Sequence, residues 1–545
     1  MTDLTFYDRE DRPWPNARLT NAAIVGHTTE TAVRLWARVY EEGTYCLLVS
    51  KIPVDTAGQP RLGAKDVELV LDSGKVQILG GLHWTQGFRF ATDLTAVFDV
   101  DGLQPGTTYY YAIFALPVAS GVRKDMWEVG KDMPHSFRTQ DPKAAEAVFG
   151  LFSCHMPYPD DKGLANIEMW TRFGQELADA RADFIIGAGD QVYTDGNSYI
   201  SIWRWLKKVK KAMAVLPAKT RVEVMKSWYR DIYRGYWGHL EMRKVLRAFP
   251  SYMIWDDHEI MDGWGSYTRP ELSQLLDTLW ELEDTGRNIE LANNMRDAAE
   301  AVYREYQHSH NPVTPAQQFD YGFTWGALGC YVLDMRGQRS YTRKSNRILG
   351  TAQFARLKGW LQSLDTRRTQ AVFIVSPVPL VHASSFIINL LDLRLLGLND
   401  DMRDAWEHET NWAERDKLLD LVFDFSQSKQ VPVTFLSGDV HVGAAFRLAR
   451  KGATAARVHQ LTSSAITYAT APFGLLKLAI QEQGTLARKG RAAPTTFNCL
   501  HAMSRNNFGI VRTQAAGGAV RIFWDLFGNG NDAGEIVKLK RLELT

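Results

Sequence analysis

Cysteine is scarce in this chain: four residues in 545, Cys46, Cys154, Cys330 and Cys499, scattered along its length. That number and spacing exclude a disulfide framework and leave reduced thiols as the simpler reading. An excess of one charge is missing as well. With 63 Lys+Arg against 62 Asp+Glu the formal charge is +1, so no long-range field attracts a polyanion. Nucleic acid is therefore excluded as a partner, and any phosphate recognition must come from locally placed arginines or metal ions. No apolar run is long enough to span a bilayer. The most apolar window, "SFIINLLDLRLLGL" from Ser385, contains Asp392 and Arg394 and reads as a buried or lid helix. The opening "MTDLTFYDREDRPWPNARLT" has neither a basic segment leading into an apolar core nor a twin-arginine pair, which predicts a cytoplasmic location. Internal repeats and low-complexity tracts are also missing.

What is present is the composition of an ordinary globular protein, 45% hydrophobic and 23% charged. A chain of 545 residues exceeds what one core supports, so two units are expected, divided near residue 140. Before that point, "TAVRLWARV", "TYCLLVSKI", "VELVLDSGKVQIL" and "TAVFDVDGLQPGTTYYYAIFAL" are short alternating or β-branched runs between Gly/Pro/Asp turns, which predicts a β-sandwich over 1–140. Tyr109, Tyr110 and Tyr111 alternate as strand core would. After it, apolar strands alternate with helical spacing: "AEAVFGLFSC", "NIEMWTRFGQELADAR", "DFIIGAGD", "SYMIWDDH", "CYVLDMR", "AVFIVSPVPL", "VTFLSGDVH" and "RVHQLTSS". That predicts an α/β unit over 141–545, with ligands gathered beyond the carboxyl ends of its strands. Helical insertions are expected near 200–248, 270–310 and 384–412, and the tail "FGIVRTQAAGGAVRIFWDLFG…EIVKLKRLEL" reads as a closing antiparallel hairpin.

The chemistry stands at the strand ends: Cys154 and His155; Asp190 with Tyr193; Asp256, Asp257 and His258; Asp334 and Arg336; Asp439 and His441. Singly, an aspartate at such a place is a turn or cap residue and a buried cysteine is core. Five strand ends that each offer a carboxylate, imidazole, thiol or guanidinium are a different matter, because rigid strands delivering such donors to one place are what a polynuclear metal centre requires.

The set "GDQVY", "WDDHE" and "SGDVH", in this order and each after a hydrophobic strand, resembles the metallophosphoesterase superfamily. Within it the chain is most similar to the alkaline phosphatase D (PhoD-like) family, related to purple acid phosphatases. "FSCH", "LDMRGQR", "WDDHEIMDGWG", "HQLTSSAIT" and "NNFGIV" share that likeness. The resemblance implies a four-layer α/β/β/α sandwich behind a fibronectin-like leading domain, and members that are often exported. It implies that Asp190 bridges two metals and that Tyr193, as phenolate, and Cys154 hold one of them. Asp257, where the superfamily has Asn, holds the other, Asp439 stands where it often has His, His441 supplies imidazole, and His258 points at substrate. Two or more ions are implied, Fe3+ with Ca2+, with Mn2+, Mg2+ or Zn2+ as alternatives, since aspartates in place of neutral ligands favour oxygen-loving ions.

Adjacent strand residues point to opposite faces, so only one of Cys154 and His155 can face the site. His382 is either a further metal histidine or a structural one. Arg336 and Arg339 are expected to grip phosphate oxygens with their planar guanidinia. Asp334 and Asp256 are expected to orient neighbouring groups, and Asp195 and Asp262 are ligands or turn residues. The activity implied is phosphoric ester hydrolysis, with metal-activated hydroxide attacking phosphorus in line, His258 protonating the leaving group and Arg336 neutralising the equatorial oxygens. The alternatives are a phosphodiesterase or phospholipase-D-like activity on a lipid headgroup at the same metals, and a binding or scaffold protein without catalysis.

Overall fold

Strands that are apolar throughout, rather than alternating, must be covered on both faces. A computed structural model shows how this is done. It describes residues 21–544 except 52–53, 56–60, 63–67, 73–74, 80–81, 117–134, 145, 159–165, 196–200, 281–284, 343–344, 383–402, 469–480, 487, 489–493, 517–518 and 532–533. A six-stranded sheet runs in the order Ser251–Ile254, Phe184–Ala188, Glu146–Phe152, Asn507–Ala516, Ala519–Asn529, Ile536–Leu544. Its first three strands are parallel and the rest antiparallel. An eight-stranded sheet runs Tyr321–Trp325, Leu328–Val332, Ala371–Val375, Val433–Ser437, Val458–Ser463, Gly443–Arg450, Thr495–Met503, Gln483–Thr485. The strands starting at Leu328, Ala371, Val433 and Val458 are parallel neighbours.

The two sheets pack face to face. Phe149 stacks on Phe184 at 4.8 Å between ring centroids and meets Phe373 of the other sheet edge-on at 5.0 Å. Along the second sheet the two-residue period sorts side chains: Cys330, Val332, Phe373, Val375 and Leu436 join the core between the sheets, whereas Tyr331, Leu333, Val372, Ile374 and Phe435 face outward. Helices Gly350–Ser363 and Trp412–Lys429 cover that outer face with Leu357, Leu361, Leu418 and Val422. Helix Glu168–Asp179 covers the first sheet; Phe173 lies so close to Gly150 that a Cβ there would be 2.5 Å from its ring. The result is the expected four-layer α/β/β/α sandwich. It brings the carboxyl ends of the parallel strands of both sheets to one edge.

The leading unit is a β-sandwich of three strands (Ala22–Thr28, Val33–Arg38, Thr95–Val100) against four (Ser136–Arg138, Thr108–Leu116, Gly43–Ser50, Leu82–Phe88), with Leu35, Leu47, Phe98 and Tyr111 in its own core. Ile24 and Trp36 instead enter the large central core, and Trp36 Nε1 donates to the Glu305 carbonyl at 2.7 Å. Helices Ile202–Ala214, Ala218–Tyr236 and Leu240–Leu246 occupy the first expected insertion, and Arg269–Trp280 and Thr285–Tyr306 the second. Most of the third expected insertion, including the "SFIINLLDLRLLGL" helix, lies outside the described residues, as do residues 1–20. No helix among the described residues is long and apolar enough to cross a membrane. The tail differs from the expected hairpin: it forms three strands, and Asn507–Ala516 pairs with Glu146–Phe152. Its partner lies more than three hundred residues upstream, which local pattern could not disclose.

Candidate metal centre

Each parallel strand ends in a sharp reversal, and the reversals carry the donors. Cys154, Asp190, Asp439 and His441 all adopt positive φ, between 53° and 64°. Side chains rarely take that conformation, and its clustering is typical of sites where surrounding structure over-determines the backbone. The glycine before each aspartate has a separate cause. A Cβ on Gly438 would lie 2.5 Å from the Ala188 carbonyl oxygen and from Ser153 Cβ, and one on Gly189 would lie 3.2 Å from Pro377 Cβ of the other sheet as well as 2.8 Å from Asp256 Cβ. The Gly-Asp pairs therefore mark where the two sheets press together.

Two overlapping groups of donors result. Asp190, Asp257 and His258 each offer a ligand atom, all within 4.8 Å of one another, and so do Asp190, Asp256 and Asp439. Asp190 belongs to both. Cys154 Sγ lies 3.3 Å from Asp190 Oδ2 and 3.0 Å from Ser464 Oγ. The Tyr193 hydroxyl is 3.4 Å from Asp190 Oδ2 and 3.2 Å from His441 Nε2. Tyr193 also stacks on His258, ring centroids 4.1 Å apart, and the Tyr468 ring lies 3.9 Å from that of His441. Glu259 staples the reversals together: it accepts from the Asp256 and Gln191 backbone N–H groups at 2.8 and 2.7 Å and from Gln307 Nε2 at 2.8 Å. His258 Nδ1 is 2.8 Å from Asp195 Oδ1, and its side chain is 20% exposed, so its other nitrogen faces the open side.

The electrostatics are those of a site short of positive charge. Burial raises the Asp190 carboxyl well above its ordinary value, and Asp257, Asp256 and Glu259 add to it against the pull of His258. Asp439 is raised well above the usual range by burial, then by Asp256, Asp404 and Asp257. Burial and Asp190 raise the Cys154 thiol; burial and then Cys154 and Asp190 raise the Tyr193 phenol. Burial pulls the His441 imidazole down to about 3, helped by His258. Against its own burial, His258 is held well above its usual value by Asp195, Asp257 and Asp190. Asp190 Oδ1 and Asp256 Oδ2 are buried with no hydrogen-bond partner among the described residues. Unpaired carboxylate oxygens in a buried, acid-rich cleft with thiol, phenol and imidazole beside them are chemically suited to hard cations, and binding would release the protons these donors retain.

The other expected residues fall differently. His155 faces away from the cluster: Nδ1 contacts Thr467 Oγ1 and Trp170 Nε1, and Nε2 the Tyr236 carbonyl. Cys154 is thus the one of the pair that points inward. His382 belongs to neither donor group. It is buried, and its backbone N–H donates to Glu407. Arg336 corrects the expectation of a phosphate-gripping fork. Its guanidinium has no exposed surface and is consumed within the protein: Nε pairs with Asp256, Nη1 and Nη2 reach Asp404 at 2.7 and 2.5 Å, Nη2 reaches Asp257 at 3.4 Å, and Nη1 reaches the Trp264 carbonyl at 3.2 Å. Arg339 pairs with Asp404 at 3.0 Å, again with no exposed side-chain surface; its stem packs on Gly265, and its Nε and Nη1 are buried without a hydrogen-bond partner among the described residues. Asp334 accepts from Trp255 Nε1 and from the Arg336 and Gly337 backbone, as an orienting residue would. Asp404, Glu259, Ser464 and Tyr468 escaped the sequence reading. Glu259 and Ser464 sit inside the quoted motifs and were discoverable there. Asp404 follows an apolar insertion and carried no local signal.

A family model described as PhoD-like phosphatase matches residues 149–524. Alkaline phosphatase D of Bacillus subtilis is 24% identical over 246 residues, covering 44% of this chain and 35% of that protein. An uncharacterized protein of Saccharomyces cerevisiae is 22% identical over 339 residues, covering 49% of this chain and 45% of that protein. The chain thus spans less than half the length of these curated relatives. A solved structure of PhoD superposes with a TM-score of 0.63 at 14% identity, covering 98% of this chain and 91% of that one, which is a likeness of fold.

Proposed function

The chain belongs to the PhoD-like phosphatase family, and from that premise we propose that it is a metal-dependent phosphoric ester hydrolase. The observation that carries this reading is the sharing of Asp190 between two donor groups: a carboxylate has two oxygens and can serve two cations. As the family resemblance implies, Cys154, Asp190, Tyr193 and His441 would hold one ion and Asp190, Asp257 and Asp439 another; the geometric groups place Asp257 with His258, and Asp256 with Asp439, on either side of the shared Asp190. The phenol and thiol suit ferric iron and the run of aspartates suits calcium. Bound, such ions supply Lewis-acid charge and lower the pKa of water.

The chain's own residues do the rest. His258, fixed through Nδ1 by Asp195, presents Nε2 on the open side. There it can deliver a proton to a leaving oxygen. Tyr193 packs against the ring of His258 and Tyr468 against that of His441, which fixes the orientation of both imidazoles. Arg336 serves by holding Asp256 and Asp257 in place rather than by touching substrate. The proposed substrates are small phosphate esters, and the proposed location is cytoplasmic.

The test compares a monoester, a diester and a phospholipid with the metal-loaded protein before and after chelation. Chelation is expected to reduce hydrolysis at least a hundredfold, and His258→Ala at least tenfold. Turnover that survives both unchanged overturns the reading. In the same preparation, iron bound by Tyr193 is expected to give a visible charge-transfer band that Tyr193→Phe removes; a colourless protein free of iron defeats that assignment alone.

A further inference from the structure

Asp404 lies outside every motif of the centre, yet it is the residue on which the positive charge beside the centre converges. Its carboxylate takes Arg336 Nη1 at 2.7 Å and Nη2 at 2.5 Å, Arg339 Nη2 at 3.0 Å and the Ser266 hydroxyl at 2.8 Å. Arg336 turns its remaining edge toward Asp256, by an Nε contact, and Asp257, at 3.4 Å. One buried guanidinium is thus divided between Asp404 on one side and two aspartates of the centre on the other. A guanidinium has five N–H donors, and those committed to one carboxylate are not available to the others.

We propose that Asp404 is a positioning residue for the metal centre: by occupying the fork of Arg336 it limits the hold of that arginine on Asp256 and Asp257 and leaves their oxygens available to cations. Three features support this. Asp256 Oδ2 and Asp257 Oδ1 are buried without a hydrogen-bond partner among the described residues although Arg336 lies beside both aspartates, so the arginine does not satisfy the cluster. Asp404 is the only carboxylate paired with both Arg336 and Arg339 among the described residues, and it keeps their charges from falling on the cluster. Its backbone, with that of Arg403, accepts from Arg339 Nη2 at 3.1 and 3.2 Å, so the side chain is anchored at both ends. The inference rests on the metal reading of the centre.

The experiment measures metal binding on the full-length protein directly, by equilibrium dialysis against calcium and manganese with elemental analysis, for wild type, Asp404→Asn, Asp404→Glu, Ser266→Ala and Asp190→Asn. Asp404→Asn is expected to raise the metal concentration for half-occupancy 10–100-fold, the usual scale for losing a partner that orients a ligand. Asp404→Glu, which restores the charge, is expected to recover most of the shift, and Ser266→Ala to show a shift of a few fold. A role in folding alone would lower thermal stability without that rescue of affinity. If Asp404→Asn binds metal as wild type does, the inference is overturned. Should that variant not fold, wild-type affinity in Ser266→Ala overturns it instead. If Asp190→Asn also binds metal normally, the metal reading itself has failed; if Asp190→Asn loses metal while Asp404→Asn keeps it, only the role of Asp404 has.

Discussion

Two buried carboxylate clusters in this molecule face opposite fates. At the junction of the β-sandwich with the helical layer, Asp93 accepts from Arg234 at 2.5 Å, from Arg38 at 3.3 Å and from the Tyr306 hydroxyl. Burial pushes its carboxyl up, but Arg234, Arg38 and the Tyr306 bond together hold it below its ordinary value. Asp190, more deeply buried, is raised well above and keeps an unpartnered oxygen. Burial is common to both, and the supply of positive charge is what differs. The chain completes the first cluster with its own arginines and leaves the second to be completed by cations from outside. Burial of acids therefore does not identify a site; burial without counter-charge does.

The sharpest way to break this comparison is to neutralise each aspartate. Asp190→Asn is expected to lower hydrolysis by about a thousandfold or more, as loss of a bridging ligand should, yet to melt no lower than wild type when both are free of metal. Adding metal to a thousand times Kd should stabilise wild type by about 4 kcal/mol and leave the variant unmoved. A metal-free variant that melts well below wild type would show that Asp190 is a structural acid like Asp93.

Asp93→Asn should reverse the pattern. Removing one partner of a buried ionic network costs about 3–5 kcal/mol, seen as a lowered midpoint in chemical denaturation, while the metal content of the folded fraction stays at the wild-type value. Loss of metal with intact stability would remove the contrast.

The smallest effect separates the two clusters by pH. Burial pulls His27 down to about 4 and His135, His308 and His310 to about 3, from an ordinary value of about 6.5. The folded protein keeps these rings neutral while the unfolded chain takes up protons. Their contribution is complete above about pH 6.5 and is lost as pH falls toward the folded values. Asp93 acts in a lower window, because its depressed carboxyl keeps its charge until the pH falls through a value below the usual one. The raised acids of the metal-free centre act in the opposite sense over the same range, so thermal melts of metal-free protein should decline more steeply between pH 6.5 and 4 in Asp190→Asn, which lacks one of them, than in wild type. A variant no steeper than wild type would mean that Asp190 does not offset the buried histidines.

Legibility followed the range of each interaction. The strands ending at Phe152, Ala188, Ile254, Val332, Val375 and Ser437 announced themselves as apolar runs followed by polar reversals, and Cys154, Asp190, Asp257, Asp439 and His441 could be named because a strand delivers its next residues to a predictable edge. Strand alternation, which is local, allowed only one of Cys154 and His155 to face the site, and the fold turned Cys154 inward. The misplacement of Arg336 had a nonlocal cause: an arginine after a strand looks the same whether its fork is open to a ligand or filled by a carboxylate 68 residues along the chain.

From sequence alone came the layered α/β plan, the leading β-sandwich and the identity of most donors at the strand ends, since periodicity and turn chemistry are written within a few residues. The tertiary structure alone decided which charges meet. It set Asp404 against Arg336, saturated Asp93 with arginines from distant elements, inserted Asn507–Ala516 beside Glu146–Phe152, and left Asp190 wanting a cation. Electrostatic balance depends on distances of a few ångströms between residues far apart in the chain, and only folding sets those distances.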